Sequence, residues 1–385
     1  MKRAIVVGAA CLVLLPGVFV GVPAYVENDL NRVLEAPLPP PSERAVALHQ
    51  KLLVADLHAD SLLWNRDLLG RASRGHADLP RLREGNVALQ GLGLVTKTPR
   101  GQNIESNDDS TDNILLLSLV QLWPPRTWLS LKERALYQAA KLHDLAARSD
   151  GGLTIIRTGV ELRAFLERRA RDPSVVATFL GVEGAHALEG EVQNVDALFE
   201  AGVRMMSPAH FFDTDMGGSA HGVERGGLTG KGREMIRRME ARKMLVDLAH
   251  ASHQAVDDVL AMATRPVLVS HTGVKGTCDN NRNLSDEHLR AIARTGGVVG
   301  VGLWETATCG TDARAVARAM RHVANVVGVQ HVGLGTDFDG AVTTPFDVSG
   351  LVHVTDALLA EGFSDEEIAQ IMGGNILRVL QEQLP

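Results

Sequence analysis

The 385-residue sequence predicts an α/β protein of the (β/α)8, or TIM, barrel class. Three observations lead there. Eight short runs rich in Val, Leu and Ile recur along the chain, as expected of parallel strands covered on both faces. Amphipathic segments separate them, the alternation that builds a parallel sheet. The length suits one barrel of ~250 residues carrying insertions. A doubly wound sheet is the alternative, but it usually has fewer strands and often carries a glycine-rich phosphate turn, which is not found here. Composition narrows the class further. Hydrophobic residues make up 45% and charged residues 22% of the chain, which excludes a disordered or fibrous protein. With 39 Lys+Arg against 46 Asp+Glu the net charge is −7, so no nucleic-acid partner is expected. Three cysteines are too few for a disulfide-built scaffold, whereas 14 histidines call for a search for metal ligands.

In chain order, residues 1–26 read as a signal peptide or a membrane anchor. Lys2 and Arg3 precede a nearly uncharged stretch, residues 4–26, long enough to cross a bilayer. Val22-Pro23-Ala24 is a passable cleavage site, so anchoring and cleavage both stay open. Either route exports the rest, to the periplasm of a bacterial cell. Cys11 lacks a lipobox, so lipidation is not expected. Residues 27–42, ending in a proline-rich stretch, read as a stiff linker, and the barrel body as residues 43–385.

The expected strands are Leu52–Leu57, Val87–Val95, Val175–Val182, Val203–Ser207, Met244–Leu248, Pro266–Ser270, Gly297–Leu303 and His331–Gly335. Expected helices include Glu161–Arg171, Lys231–Arg242, Ser285–Arg294 and Thr311–Val327. Residues 96–174 make the gap after the second strand exceptionally long. This insertion is expected either to wall a pocket or to add an outer layer of helices. Near the end, Ser364 and Glu367 form a capping box for a helix that should stop at Gly373-Gly374, with Asn375 capping a last one.

Polar residues gather at the strand ends. The first run continues as Asp56-Leu-His58-Ala-Asp60, whose polar residues share one face of an extended chain. Glu183 ends the third run, His210 follows the fourth, His250 the fifth and His271 the sixth, and Asp337 follows the eighth. In a barrel these C-terminal ends converge on one mouth. His58, Asp60, Glu183, His250, His271 and Asp337 in one place make a divalent metal site, with zinc suited to the N/O ligand mixture. Two dications repel, so a shared carboxylate is needed, and Glu183 is the natural bridge. Asp56 is expected to support the site, and Asp339 to fix its loop. His186 is expected to back the metal site or simply to pack. Trp304 is a candidate pocket wall. His221, His253, His288, His322 and His353 read mostly as solvent histidines.

These motifs, Asp56-Leu-His-Ala-Asp60, Gly181-Val-Glu-Gly-Ala-His186, Asp247-Leu-Ala-His250, Ser270-His271, Arg282-Asn283, Gly335-Thr-Asp-Phe-Asp-Gly340 and Gly373-Gly-Asn375, resemble those of the membrane (renal) dipeptidases of the amidohydrolase superfamily. The resemblance runs from about Leu52 to Val379 and implies a (β/α)8 barrel with two zinc ions. It implies that His58 and Asp60 bind one ion, that His250 and His271 bind the other, and that Glu183 bridges them. It further implies that His210 contacts the substrate carbonyl, that Arg282 holds the substrate carboxylate and that Asp337 is the acid/base. The implied reaction is hydrolysis of a dipeptide by a metal-bridged hydroxide, since divalent ions lower the pKa of water from ~15.7 to about 7. Related enzymes accept a D-residue at the second position and can open some β-lactams. They are often homodimers, although no interface signal is visible here.

The residues weigh against two other classes. Related deaminases, lactonases and phosphotriesterases typically open with His-x-His and often bridge their metals with a carbamylated lysine, whereas here His58-x-Asp60 and Glu183 stand in those places. A decayed, non-catalytic barrel would not be expected to keep every ligand. Finally, Cys278 and Cys309 lie in the loops after the sixth and seventh runs, which leave neighbouring strands at one face. In an oxidising compartment they are expected to form a disulfide, the alternative being two unrelated thiols.

Overall fold

A computed structural model describes residue 19, residues 21–34 and residues 38–385. Most of the expected anchor or signal peptide lies outside the described residues. Among the described residues, no helix is long and apolar enough to cross a membrane.

The fold is α/β, with a parallel sheet curled in the manner of a TIM barrel. In chain order its strands are β1 (Val54–Asp56), β2 (Val87–Val95), β3 (Leu153–Ile155), β4 (Val176–Glu183), β5 (Val203–Met206), β6 (Leu245–Val246), β7 (Leu268–Thr272), β8 (Val298–Val301) and β9 (Val332–Leu334). Eight of them form the ladder β6-β5-β4-β2-β1-β9-β8-β7, and β3 pairs with the start of β4. The two ends of the ladder meet through a parallel bridge between Asp247 and Leu268. Each expected strand overlaps one of these eight. The ninth, β3, was not expected, because a three-residue run carries little periodic signal.

Register explains where the site sits. Along β4, Ala177, Phe179, Gly181 and Glu183 alternate onto one face. Ala177 and Phe179 join Leu57, Leu89, Met205, Leu245 and Leu268 in one buried cluster, with Ile376 and Leu380 of the last helix packed against it. The interior is therefore apolar at the floor and acidic at Glu183, at the C-terminal end. Glycine makes room near that end. Gly93 pairs with Gly181, and a Cβ at Gly93 would come within 2.7 Å of the His58 ring.

Two expectations are corrected. Residues 27–34 are not part of a stiff, extended linker: residues 21–30 are helical, and Val33 bridges to Thr344. Burial of Glu27 and Asn31 draws this segment onto the barrel. At the other end, the backbone leaves helical geometry at Gly373, as expected, and a kink there separates the helical stretch that begins at Asp365 from the helix Asn375–Gln383. Asn375 is not a cap; its amide donates to the carbonyls of Val329 and Val332 at 2.8 Å, tying the last helix to β9.

The segment after β2 contains three helices, Asn113–Val120, Arg126–Leu129 and Leu131–Arg148. Buried Arg134 fastens them by donating to the carbonyls of Thr96, Thr127 and Trp128 at 2.7–2.8 Å.

Candidate metal centre and active site

Glu183 stands at the centre of the site, 4% exposed. Its Oε1 lies 3.0 Å from His250 Nε2, 3.3 Å from His271 Nε2 and 3.6 Å from His58 Nε2. Its Oε2 lies 3.2 Å from His210 Nε2. His58 Nε2 is in turn 3.3 Å from Asp60 and 3.8 Å from Asp337. Three overlapping groups thus have ligand atoms within metal-sharing reach: His58, Glu183 and His271; Glu183, His210 and His250; and His58, Asp60 and Asp337. All five expected ligands converge, together with His210 and Asp337.

Supporting residues fix these side chains. Asp56 accepts from the amide of Thr336 at 2.9 Å, its hydroxyl at 2.6 Å and the Gln90 amide at 2.9 Å, locking the ends of β1, β2 and β9 together. Asp247 accepts from the amides of Ala249 at 3.0 Å and Ser270 at 2.8 Å, which sets the chain on either side of His250 and His271. Ser270 Oγ lies 2.9 Å from His271 Nδ1, leaving Nε2 aimed at Glu183.

Electrostatics mark the site as built for cations. Burial, then the charge of Asp60, raises the Glu183 pKa well above the usual carboxylate range. Burial also pushes Asp337 up to about 8. For His58, burial opposes protonation, but Asp60 and Glu183 win and push it up to about 10. Burial holds His210, His250 and His271 well below the ordinary value, favouring the neutral imidazole. Buried carboxylates crowded together with neutral imidazoles are costly unless a cation joins them.

Arg282 is 5% exposed. It donates to the carbonyl of His271 at 2.7 Å and the hydroxyl of Thr272 at 3.2 Å. A surface pairing with Asp286, the plain alternative for this arginine, is not made; Asp286 lies instead 2.7 Å from His322. Trp304 stands at the site, its ring 5.7 Å from that of His271.

Two histidines depart from the sequence reading. His221 and His288 are buried, not solvent-facing. His221 matters here, because its ring lies 5.3 Å from that of His250 and stacks on Phe211 at 5.0 Å. Its Nδ1 lies 2.9 Å from the carbonyl of Ile104, in the segment after β2. That same carbonyl accepts from Asn281 at 2.7 Å, next to Arg282. The Ile104 carbonyl thus lies against His221 and Asn281, beside the site. A glycine-flanked histidine in the long loop after β5 was the signal available, and it was too weak to separate from a surface turn. His186 packs on Phe212 at 5.0 Å, with burial pushing its pKa down to about 3.

Comparison with known proteins agrees with this geometry. The sequence profile described as "Membrane dipeptidase (Peptidase family M19)" matches residues 42–384. An uncharacterized protein encoded in the pqqA 5' region of Klebsiella pneumoniae is 34% identical over 261 residues, covering 63% of this chain and 94% of that protein. The dipeptidase aclJ of Aspergillus oryzae is 33% identical over 348 residues, covering 85% of this chain and 77% of its own length. Among solved structures, a metallo peptidase from Rhodobacter sphaeroides, liganded with a phosphinate mimic of the dipeptide L-Ala-D-Ala, superimposes with a TM-score of 0.71 at 24% identity. That superposition covers 87% of this chain and 99% of the other and speaks for the shared fold.

Proposed function

Since the chain belongs to the membrane dipeptidase family, peptidase family M19, and is a metallo-dipeptidase that hydrolyses peptide bonds, we propose that it cleaves dipeptides with two zinc ions at the mouth of a (β/α)8 barrel. The observation that carries this reading is the Glu183 carboxylate, set within 3.6 Å of the Nε2 atoms of His58, His210, His250 and His271. Both ring nitrogens of His58 and an oxygen of Asp60 are buried with no hydrogen-bond partner, which fits a metal and fits an apolar core badly. In this reading His58 and Asp60 would hold one ion and His250 and His271 the other, with Glu183 available to both. Such ions, when bound, supply Lewis acidity that polarises a carbonyl and makes water acidic near neutral pH.

The chain's own residues do the rest. Arg282, anchored through the His271 carbonyl, presents the remainder of its fork to the free carboxylate of a short substrate. His210 donates from Nε2 to the carbonyl oxygen as negative charge develops there. Asp337 takes the proton of the attacking water and returns it to the leaving amine. Burial of the whole set excludes bulk water, which strengthens each of these interactions. A carboxylate grip so close to the reacting bond favours dipeptides over longer peptides. The L-Ala-D-Ala mimic bound by the Rhodobacter relative supports including L–D substrates.

Export follows from Lys2, Arg3 and the apolar stretch behind them, as an anchored or a cleaved periplasmic protein. The Cys278–Cys309 disulfide supports an oxidising compartment. Metal analysis of the purified protein, with a hydrolysis panel of L–L and L–D dipeptides, tests the reading. Two zinc ions per chain and turnover of free dipeptides are expected; no bound metal and no hydrolysis would sink it.

A further inference from the structure

The loop that carries Asp337 is strained and is held from outside the barrel. Asp337, Asp339 and Ala341 have φ of 62°, 64° and 61°. This is the left-handed region, costly for residues other than glycine. Such conformations persist only where the surroundings over-determine them.

Here those surroundings can be named. Asp339 is fully buried. Its carboxylate accepts from the amides of His76 at 2.6 Å and Ala77 at 3.3 Å and from the Ser61 hydroxyl, and it pairs with Arg66. Its carbonyl accepts from Trp64 Nε1 at 2.8 Å. Ser61 and Trp64 follow Asp60, so Asp339 joins the loop of Asp60 to the loop of Asp337.

Arg66 is held in turn by Glu27. One carboxylate oxygen of Glu27 lies 2.5 Å from Arg66 Nε and the other 2.6 Å from Arg74 Nε. Glu27 is fully buried, yet it lies upstream of the region that matches the family, residues 42–384. Close by, Asn31 Oδ1 accepts from the amide of Ala341 at 2.9 Å. The Thr344 amide donates to the Arg32 carbonyl, and the Leu34 amide to the Thr344 carbonyl, both at 2.9 Å. Residues 27–34 therefore bond directly to the strained loop at Ala341 and Thr344 and reach Asp339 through Arg66.

We propose that residues 27–34 are a positioning strap for the active-site loop, and that Glu27 is a positioning residue acting on Asp337 through Arg66 and Asp339. The inference rests on the reading of Asp337 as the acid/base. Without Glu27, Arg66 and Arg74 face one buried carboxylate instead of two, and Arg66 is free to turn away from Asp339. Loss of Asn31 frees the far end of the loop. In either case the Asp337 carboxylate drifts from its working position, and a shift of ~1 Å can cost ~10²-fold in rate. The strap directly follows the apolar stretch of residues 4–26 in sequence, so processing that removed Glu27 would reach the active site.

The test uses the full-length, zinc-loaded enzyme. Glu27→Gln keeps the shape and removes the charge. Asn31→Ala removes one hydrogen bond without stranding a charge, and serves if Glu27→Gln does not fold. Asp337→Asn reports on the underlying reading. We expect kcat to fall roughly tenfold in Glu27→Gln and about threefold in Asn31→Ala, with KM and zinc content unchanged and partial recovery in Glu27→Asp. A lower Tm with unchanged kcat per zinc-loaded enzyme means that the strap only stabilises the fold, and overturns the proposal. If Asp337→Asn itself keeps full kcat, the acid/base reading fails and the strap proposal fails with it. If Asp337→Asn is inactive while both strap variants keep full kcat, the strap proposal alone fails.

Discussion

Glu183 Oε1 lies 3.0 Å from His250 Nε2, a buried carboxylate from the end of β4 against an imidazole beyond β6. The contact brings together side chains 67 positions apart in sequence (183 to 250), and under the proposed two-zinc reading Glu183 is the carboxylate both ions would share. Replacing Glu183 by Gln removes the charge that two dications would share. We predict loss of bound metal and a fall in kcat of ~10³-fold or more. Zinc content by elemental analysis, alongside dipeptide turnover, checks this; a variant with two zinc ions and more than a tenth of the activity would remove Glu183 from the bridging role.

Arg282→Lys keeps a positive charge and loses the planar fork. Because Arg282 is buried and anchored to the His271 carbonyl, the shorter reach of a single ammonium should lower kcat/KM for dipeptides by at least ~10-fold with zinc unchanged. A dipeptide amide, lacking the carboxylate, is the control. Equal losses on the amide and the free acid would show that the carboxylate is not what Arg282 recognises.

Cys278 and Cys309 form a disulfide with Cα atoms 5.2 Å apart and a sequence separation of 31. It ties the loop carrying Arg282 to the loop after β8. Closing a loop of that length stabilises the fold by about 3–4 kcal/mol on chain entropy alone. The paired Cys278→Ser and Cys309→Ser variant should unfold at lower denaturant by that margin. Intact mass under thiol labelling gives an independent reading: Cys278 and Cys309 both freely labelled in the unreduced protein would contradict the bond.

Lys141 supplies a pH dependence independent of the metal site. Its Nζ donates to the carbonyls of Leu62 at 2.6 Å and Trp64 at 2.7 Å, and burial pushes its pKa down to about 7. The unfolded value is ~10.4, so between these limits the unfolded chain binds the extra proton and the folded chain does not. This contribution to folding stability therefore rises as pH increases from about 7 toward ~10.4. In denaturant titrations from pH 7 to 9, Lys141→Met should show a flatter or more downward trend than the wild type. Identical slopes would mean that Lys141 is charged in the fold at no cost.

Much was readable locally. Strand and helix periodicities are short-range properties, so eight apolar runs marked eight strands, while β3, three residues long, carried too little pattern to be seen. Because barrel strands end on one face, the polar residues after those runs identified His58, Asp60, Glu183, His250, His271 and Asp337 as neighbours before any contact was known, and the family resemblance added His210. Adjacent strands likewise placed Cys278 near Cys309.

By itself, then, the sequence determined the alternation of elements, the set of converging side chains and the chemistry those side chains favour. Only the tertiary structure decided that His221 is a buried neighbour of His250 rather than a surface histidine, that the Ile104 carbonyl meets Asn281 beside Arg282, and that Glu27 reaches Asp339 through Arg66. The reason is physical. A periodic pattern reports which face of an element is buried, whereas these contacts join irregular segments far apart in sequence. No backbone repeat constrains such segments, and their partners are chosen by burial and hydrogen bonding in the folded state.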